Sequence, residues 1–217
     1  MRNTQPEFPQ LLQCTRCERL ACALAQARAE HPGYHARPVE PFGDPHPRLL
    51  IVGLAPGMHG ANRTGRPFTG DYAGELLYAT LHKFGWSNHR GSASPQDGLQ
   101  LTGCRITNAV KCWPPENKPL PAEVRICNAY LAQEIEALAP GSAVLALGQI
   151  AHGAILRALG LKASAATFGH AATADLPGRL RLFDSYHCSR YNTQTRRLTA
   201  EMFEDVFRSI AAYLDPR

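Results

Sequence analysis

Short apolar runs alternate with stretches of helical periodicity along most of this chain. Runs at 49–52 (Leu-Leu-Ile-Val), 106–110 (Ile-Thr-Asn-Ala-Val), 143–147 (Ala-Val-Leu-Ala-Leu) and 180–183 (Leu-Arg-Leu-Phe) read as buried strands of a mainly parallel sheet. Helical patterns separate or follow them. One covers 74–84, and another starts at Pro121, a residue suited to a first helical turn, with Val124, Cys127, Leu131, Ile135 and Leu138 at helical spacing. A third covers 150–159. The last follows Thr199, a candidate N-cap, and presents Phe203, Val206, Phe207, Ile210 and Leu214 to a core. Strand–helix alternation predicts an α/β fold, a three-layer α/β/α sandwich around a mainly parallel four-stranded sheet, with its ligand site at the carboxyl ends of the strands. The Pro- and Gly-rich stretch 28–47 is expected to wrap over the surface, and 85–98 to form a long loop.

Composition narrows the class. With 217 residues, 44% hydrophobic and 19% charged, the chain suits one globular domain. No apolar stretch is long enough to span a bilayer, and residues 1–7 lack an apolar signal core, so a cytoplasmic protein is expected. A net charge of +5 is mildly basic and permits a phosphate-bearing or nucleic-acid ligand. The seven cysteines are an odd number without a secretory signal, which argues against a disulfide framework. Cys14 and Cys17 form a C-x-x-C pair, Cys112 lies in a Pro-rich turn, and Cys127 falls early in the helix from Pro121. Four thiolates suit a tetrahedral zinc or a [4Fe–4S] cluster, and spacing alone does not separate the two. The plain alternative is four partly buried free thiols. Cys22, Cys104 and Cys188 read as structural.

The segment after the first strand, GLAPGMHGANRTGRPFTGD (53–71), fails both common phosphate motifs. The dinucleotide spacing breaks at Gly53-Leu-Ala-Pro-Gly57, and Arg66-Pro67 replaces the lysine and hydroxyl of a P-loop. What remains is a loop whose glycines allow close backbone approach to a ligand, with Phe68 as a stacking face and Asp71 as a general base. Each has a structural alternative: Phe68 as core, and Asp71 as the cap of the helix that follows. Asn108 ends the second strand and His187 follows the fourth, so an Asp, an Asn and a His from three strand ends can converge.

These stretches together, with Cys14-x-x-Cys17, Tyr34-x-Ala-Arg-Pro-Val39-x-x-Phe42-Gly-Asp44, Asn108-Ala-Val-Lys-Cys112 and His187-Cys-Ser-Arg-Tyr-Asn192, resemble the uracil-DNA glycosylase superfamily, in particular its family 5. The resemblance implies a monomeric repair enzyme acting on DNA, with a [4Fe–4S] cluster on Cys14, Cys17, Cys112 and Cys127. It further implies catalytic roles for Asp71, Asn108 and His187, and a base pocket of Gly53, Ala55, Phe68, Asn108 and His187. Family 4 relatives carry an acid where Ala55 stands, so the departure matches family 5 and moves the catalytic acid to Asp71. The wider pocket would then accept hypoxanthine beside uracil. DNA contacts are expected from Arg63, Arg66, Lys111, Ser189, Arg190 and Asn192. Cys188 departs from the proline that many relatives carry after the histidine. A non-catalytic iron–sulfur or zinc module that binds nucleic acid, and a redox protein, are the rival readings.

Overall fold

The computed structural model describes residues 10–215, so residues 1–7, read above as lacking an apolar signal core, lie outside the described residues. Six strands form one sheet in the order β1-β3-β2-β4-β6-β5. The four central ones, β2 (Leu49–Gly53), β3 (Cys104–Asn108), β4 (Ala143–Leu147) and β6 (Leu180–Ser185), are mutually parallel, as the apolar runs predict. Two antiparallel edge strands extend the expected four: β1 (Phe42–Gly43) beside β3, and β5 (Thr173–Leu176) beside β6. Neither has an apolar run to betray it. β1 is only two residues long, and β5 exposes most of Thr-Ala-Asp because an edge strand faces water on one side.

Alternation along each central strand supplies both faces of the sheet. Leu49, Ile51, Ile106 and Leu145 point to one side, where α3 (Tyr72–Lys83) and α7 (Ala200–Leu214) cover them with Leu77, Tyr78, Phe203 and Phe207. Leu50, Val52, Val144 and Ala146 point to the other, against Leu131 and Ile135 of α4 (Pro121–Glu136) and Ile155 of α5 (Gln149–Ala158). This is the three-layer sandwich. β3 begins two residues earlier than the apolar run suggests and ends at Asn108. Ala109 and Val110 are buried nonetheless, because their N–H groups donate to the Gly53 and Leu54 carbonyls beyond the strand end. Three further α-helices lie among the described residues. The first, α1 (Glu18–Glu30), occupies part of the stretch expected to wrap as coil. α2 (Ala61–Thr64) and α6 (Arg190–Gln194) are single turns. Within the stretch 85–98 the described residues form no helix or strand, apart from one bridge between Ser87 and Leu101. None of the described helices is long and apolar enough to cross a membrane.

Thr199 caps α7 as expected, its hydroxyl accepting the Met202 N–H at 3.2 Å. Thr199→Ala should therefore cost about 1 kcal/mol and lower the melting temperature by about 2–4 °C, read by thermal denaturation. An unchanged melting point would show that water replaces the cap at no cost.

Candidate active site

Register across β2 and β3 sets Gly53 directly beside Asn108 at the carboxyl edge of the sheet. A Cβ on Gly53 would stand 2.4 Å from Asn108 Oδ1 and 2.6 Å from Phe68 Cζ, so only glycine lets these two side chains close over the strand end. Phe68 reaches this point through a left-handed backbone (φ 55°), a conformation that costs a non-glycine residue about 1 kcal/mol or more. Gly74 makes room for it: a Cβ there would lie 1.8 Å from the Phe68 carbonyl oxygen. The Phe68 ring is buried yet lines the pocket, and it stacks on His187 with centroids 6.1 Å apart and planes 27° from parallel.

The pocket has a volume of about 490 Å³, within the usual range for small-molecule sites. Asp71, Asn108 and His187 all line it, with Ala55 and Phe68. Asn108 is only 3% exposed, and its Oδ1 has no hydrogen-bond partner among the described residues. A buried acceptor left unpaired costs about 1–3 kcal/mol, so this carbonyl awaits a donor from a ligand. Burial lowers His187 to about 4, so its imidazole is neutral at physiological pH and can donate from only one nitrogen.

Asp71 occupies the N-cap position of α3, but its side chain makes no cap bond there. The carboxylate instead turns into the loop formed by residues 57–61, where Oδ2 accepts the Ala61 N–H at 3.4 Å. Gly57 and Gly60 wrap it, and a Cβ on Gly60 would fall 1.8 Å from its Cγ. The capping alternative is thereby corrected: this acid lines the pocket and leaves the helix end uncapped. Burial raises its pKa above the ordinary 3.8, opposed by the Ala61 N–H and by the charges of Arg63 and His59.

The His187 loop folds on itself. Asn192 Nδ2 donates to the His187 carbonyl at 2.8 Å, and Ser189 Oγ caps α6 by accepting the Asn192 N–H. Both residues expected to touch DNA thus have structural work, although Ser189 also lines the pocket. Cys188, where many relatives have proline, is fully buried in the α3–α7 core and anchors the loop by packing. Arg190 is exposed at the pocket rim with its guanidinium 5.0 Å over the Tyr72 ring, and Arg63 is exposed on α2.

Two expected phosphate contacts are corrected. Lys111 is 1% exposed and pairs with Glu134 at 2.5 Å, also donating to Thr107 Oγ1. Arg66 is 5% exposed and bound to Asp97 at 2.6 and 2.9 Å, to Ser92 and to Thr69. Freeing Lys111 would strand the buried Glu134 carboxylate, and freeing Arg66 would break the four hydrogen bonds of a buried guanidinium, so neither reaches solvent phosphate. The Arg66 guanidinium holds Asp97 well below the usual carboxylate range.

Sequence reasoning missed Asn117, which lines the same pocket from the segment after β3. The only signal was the Pro-Pro-Glu-Asn run between two cysteines of interest.

Cys14, Cys17, Cys112 and Cys127 meet at a second, smaller cavity, closed by Leu11, Leu20 and Tyr130. Burial raises the thiols of Cys17, Cys112 and Cys127, with their mutual charge adding to the effect. Cys14 is the exception: burial is outweighed by hydrogen bonds from Arg16 and Tyr130, which lower it. Among the described residues no group of three or more His, Cys, Asp or Glu is set to hold a metal ion. Cys22 is exposed and Cys104 buried, and neither lines that cavity.

A pocket at the carboxyl ends of parallel strands, with a stacking ring, an unpaired amide, a neutral imidazole and a half-buried acid, has the parts of an enzyme active site. Comparison with known proteins agrees. The Uracil DNA glycosylase superfamily matches residues 40–211. A type-5 uracil-DNA glycosylase of Thermus thermophilus is 51% identical over 173 residues, covering 80% of this chain and 78% of its own. One of Pyrobaculum aerophilum is 43% identical over 206 residues, covering 93% and 89%. A type-4 uracil-DNA glycosylase of Pyrobaculum aerophilum is 37% identical over 116 residues, covering 53% and 51%. The chain belongs to the uracil-DNA glycosylase superfamily and, within it, to the type-5 enzymes.

Gly53→Ala tests the packing at the strand ends. The added methyl must displace Asn108 or Phe68, and a misplacement of about 1 Å can cost roughly a hundredfold in rate. Single-turnover base release should fall by that order with the fold retained; a wild-type rate would show that the pocket tolerates the methyl.

Proposed function

We propose that this chain removes uracil from DNA by hydrolysing the bond between the base and C1′ of its deoxyribose. The observation that carries the reading is the orphaned Asn108 Oδ1 beside a neutral His187 and the stacked Phe68 ring. A base inside a duplex cannot reach this pocket, so the nucleotide must first swing out, at a cost of a few kcal/mol. Phe68 then stacks on the flipped base. The imide N–H of uracil supplies the donor that Asn108 Oδ1 lacks, and the amide N–H₂ of Asn108 faces the neighbouring carbonyl.

As the glycosidic bond breaks, its electron pair leaves with the base and the sugar becomes cation-like. The N–H of neutral His187 stabilises negative charge on the departing base. The Asp71 carboxylate stabilises the sugar cation and takes the proton of the water that adds to C1′. The released base is protonated from solvent. Ala55 puts a small uncharged side chain in the pocket, which supports acceptance of hypoxanthine as well as uracil.

Cys14, Cys17, Cys112 and Cys127 would hold a [4Fe–4S] cluster, a fit supported by four thiols converging on one cavity among apolar side chains. Such a cluster supplies a cross-link between the N-terminal segment and the segment after β3, with no part in hydrolysis. We further infer one domain, acting as a monomer on DNA, in the cytoplasm and on the nucleoid.

Asp71→Asn is the test of the acid. Asn keeps the shape of Asp and its amide oxygen can still accept the Ala61 N–H, so a purely structural role predicts near-normal turnover. Loss of a general base predicts a single-turnover rate on uracil-containing duplex lowered roughly a hundredfold or more, with DNA binding intact. Because burial raises the Asp71 pKa, the wild-type rate should fall on the acid side at a pH above the ordinary carboxylate value of 3.8. That limb should vanish in the variant. Full activity of Asp71→Asn on both uracil and hypoxanthine would overturn the assignment.

The cluster has its own test. Purified protein should be brown, and replacing any of the four cysteines with Ser should bleach and destabilise it, because binding such a group is coupled to folding. Cys22→Ser should do neither. A colourless, iron-free wild type of undiminished stability would sink the cluster.

A further inference from the structure

The turn that wraps Asp71 is itself held from behind. Gly57 O accepts the Gly60 and Asn62 N–H groups at 3.3 and 3.0 Å, which closes the turn around the carboxylate. His59, exposed, sits within this turn. Its carbonyl accepts Arg63 Nε at 2.7 Å, and its ring Nδ1 shares a hydrogen bond of 2.9 Å with the Tyr34 hydroxyl.

Tyr34 opens the stretch Tyr34-His-Ala-Arg-Pro-Val39, which lines no part of the base pocket. Its ring stacks on His31, the residue that ends α1, with centroids 4.5 Å apart and planes 17° from parallel. Both rings stand edge-on to His59, each with its centroid 6.0 Å away. Backbone bonds fix the same stretch. Tyr34 N–H donates to His31 O at 2.9 Å, His35 N–H to Arg63 O at 3.0 Å and Ala36 N–H to Asn62 O at 2.9 Å. Arg28 of α1 donates to the Ala36 carbonyl, and Ala36 keeps a left-handed φ of 40° there, a strain that only firm surroundings sustain. A continuous set of contacts thus runs from the end of α1 to the turn around the acid.

Several charged or titratable groups face that acid. Arg63 and His59 belong to its own loop, His187 and Arg190 border the same pocket, and His31 stands beside His59. The charges of Arg63 and His59 stabilise the carboxylate.

We propose that Tyr34 and His59 are positioning residues for Asp71. His31 backs the Tyr34 ring, Tyr34 orients the His59 imidazole, and His59 holds both the 57–61 turn and its own charge against the carboxylate. The inference rests on Asp71 being the acid of a glycosylase and gives that acid a support outside the pocket. A ring already ordered on folding keeps its charge in place and needs no reorganisation when charge develops on the sugar.

Two conservative variants test the two parts. Tyr34→Phe keeps the stack and removes the hydroxyl, whereas His59→Gln removes the charge and keeps a polar side chain. Each is followed by single-turnover excision from uracil-containing duplex across a pH series, by carbon-13 NMR titration of the Asp71 carboxyl, and by hydrogen exchange of the Ala61 amide. His59→Gln should move the acid limb and the Asp71 titration upward by about half a pH unit, because losing a nearby positive charge disfavours the carboxylate. Tyr34→Phe should lower the plateau rate above that limb roughly three- to tenfold, the worth of one hydrogen bond, and speed Ala61 exchange by a similar factor. Melting temperatures should stay within about 2 °C of the wild type. An Asp71 titration that stays in place in His59→Gln would overturn the proposal, even with a lower rate, since a merely structural part would slow the reaction alone. Wild-type plateau and exchange in Tyr34→Phe would overturn it equally. The carboxyl titration needs no turnover, so a protein that excises nothing yet shows the shifted titration would refute the enzymatic reading and leave the support of Asp71 standing.

Discussion

Everything in the pocket depends on how closely β2 and β3 allow their ends to be covered. With hydrogen in place of a side chain at Gly53, the Asn108 amide and the Phe68 ring come within a distance that no Cβ would permit. The same device recurs at Gly57 and Gly60, which close around the Asp71 carboxylate, and at Gly74, which accepts the Phe68 carbonyl. Four glycines thus convert an ordinary strand-to-helix loop into a rigid cup. The cost is backbone entropy and a strained Phe68, offset by the packed core beneath.

Burial then sets the chemistry. Removing water from the pocket drives His187 and Asp71 away from their charged forms, the first towards about 4 and the second above 3.8. At neutral pH that leaves an uncharged imidazole and a carboxylate of raised basicity lining one pocket. The charges that do remain buried support the walls. Lys111 with Glu134, and Arg66 with Asp97, are ion pairs whose loss would strand a partner, so they fix the strand end and the 53–71 loop.

The N-terminal segment braces the site from outside the sandwich. α1 packs Leu20 and Leu24 beside Cys112 and Cys127, and its Arg19 ties down the segment that carries Asn117. Its contacts run to the segment after β3 and to Glu123, Cys127 and Tyr130 of α4, and four cysteines far apart in the chain line one cavity there.

Periodicity alone determined the sandwich, because a strand buried on both faces must be apolar throughout and a covering helix must repeat near every fourth residue. It also placed Asn108 and His187 at strand ends, since a parallel sheet puts the carboxyl ends of its strands together. The edge strands stayed hidden: Phe42–Gly43 is too short, and Thr173–Leu176 too polar, to carry a pattern. Tertiary structure decided what each charged or polar residue faces. Lys111 and Arg66 look like any loop cations in sequence, yet long side chains folded back onto Glu134 and Asp97, far away in the chain. Asp71 sits where a cap belongs, and only the Gly57–Gly60 turn shows that its carboxylate points elsewhere. Asn117 reaches the pocket through two left-handed residues that no propensity foretells. Hydrophobic period is a local property and survives in the sequence, whereas the partner of a buried charge is chosen by whichever distant group the fold brings within hydrogen-bond reach.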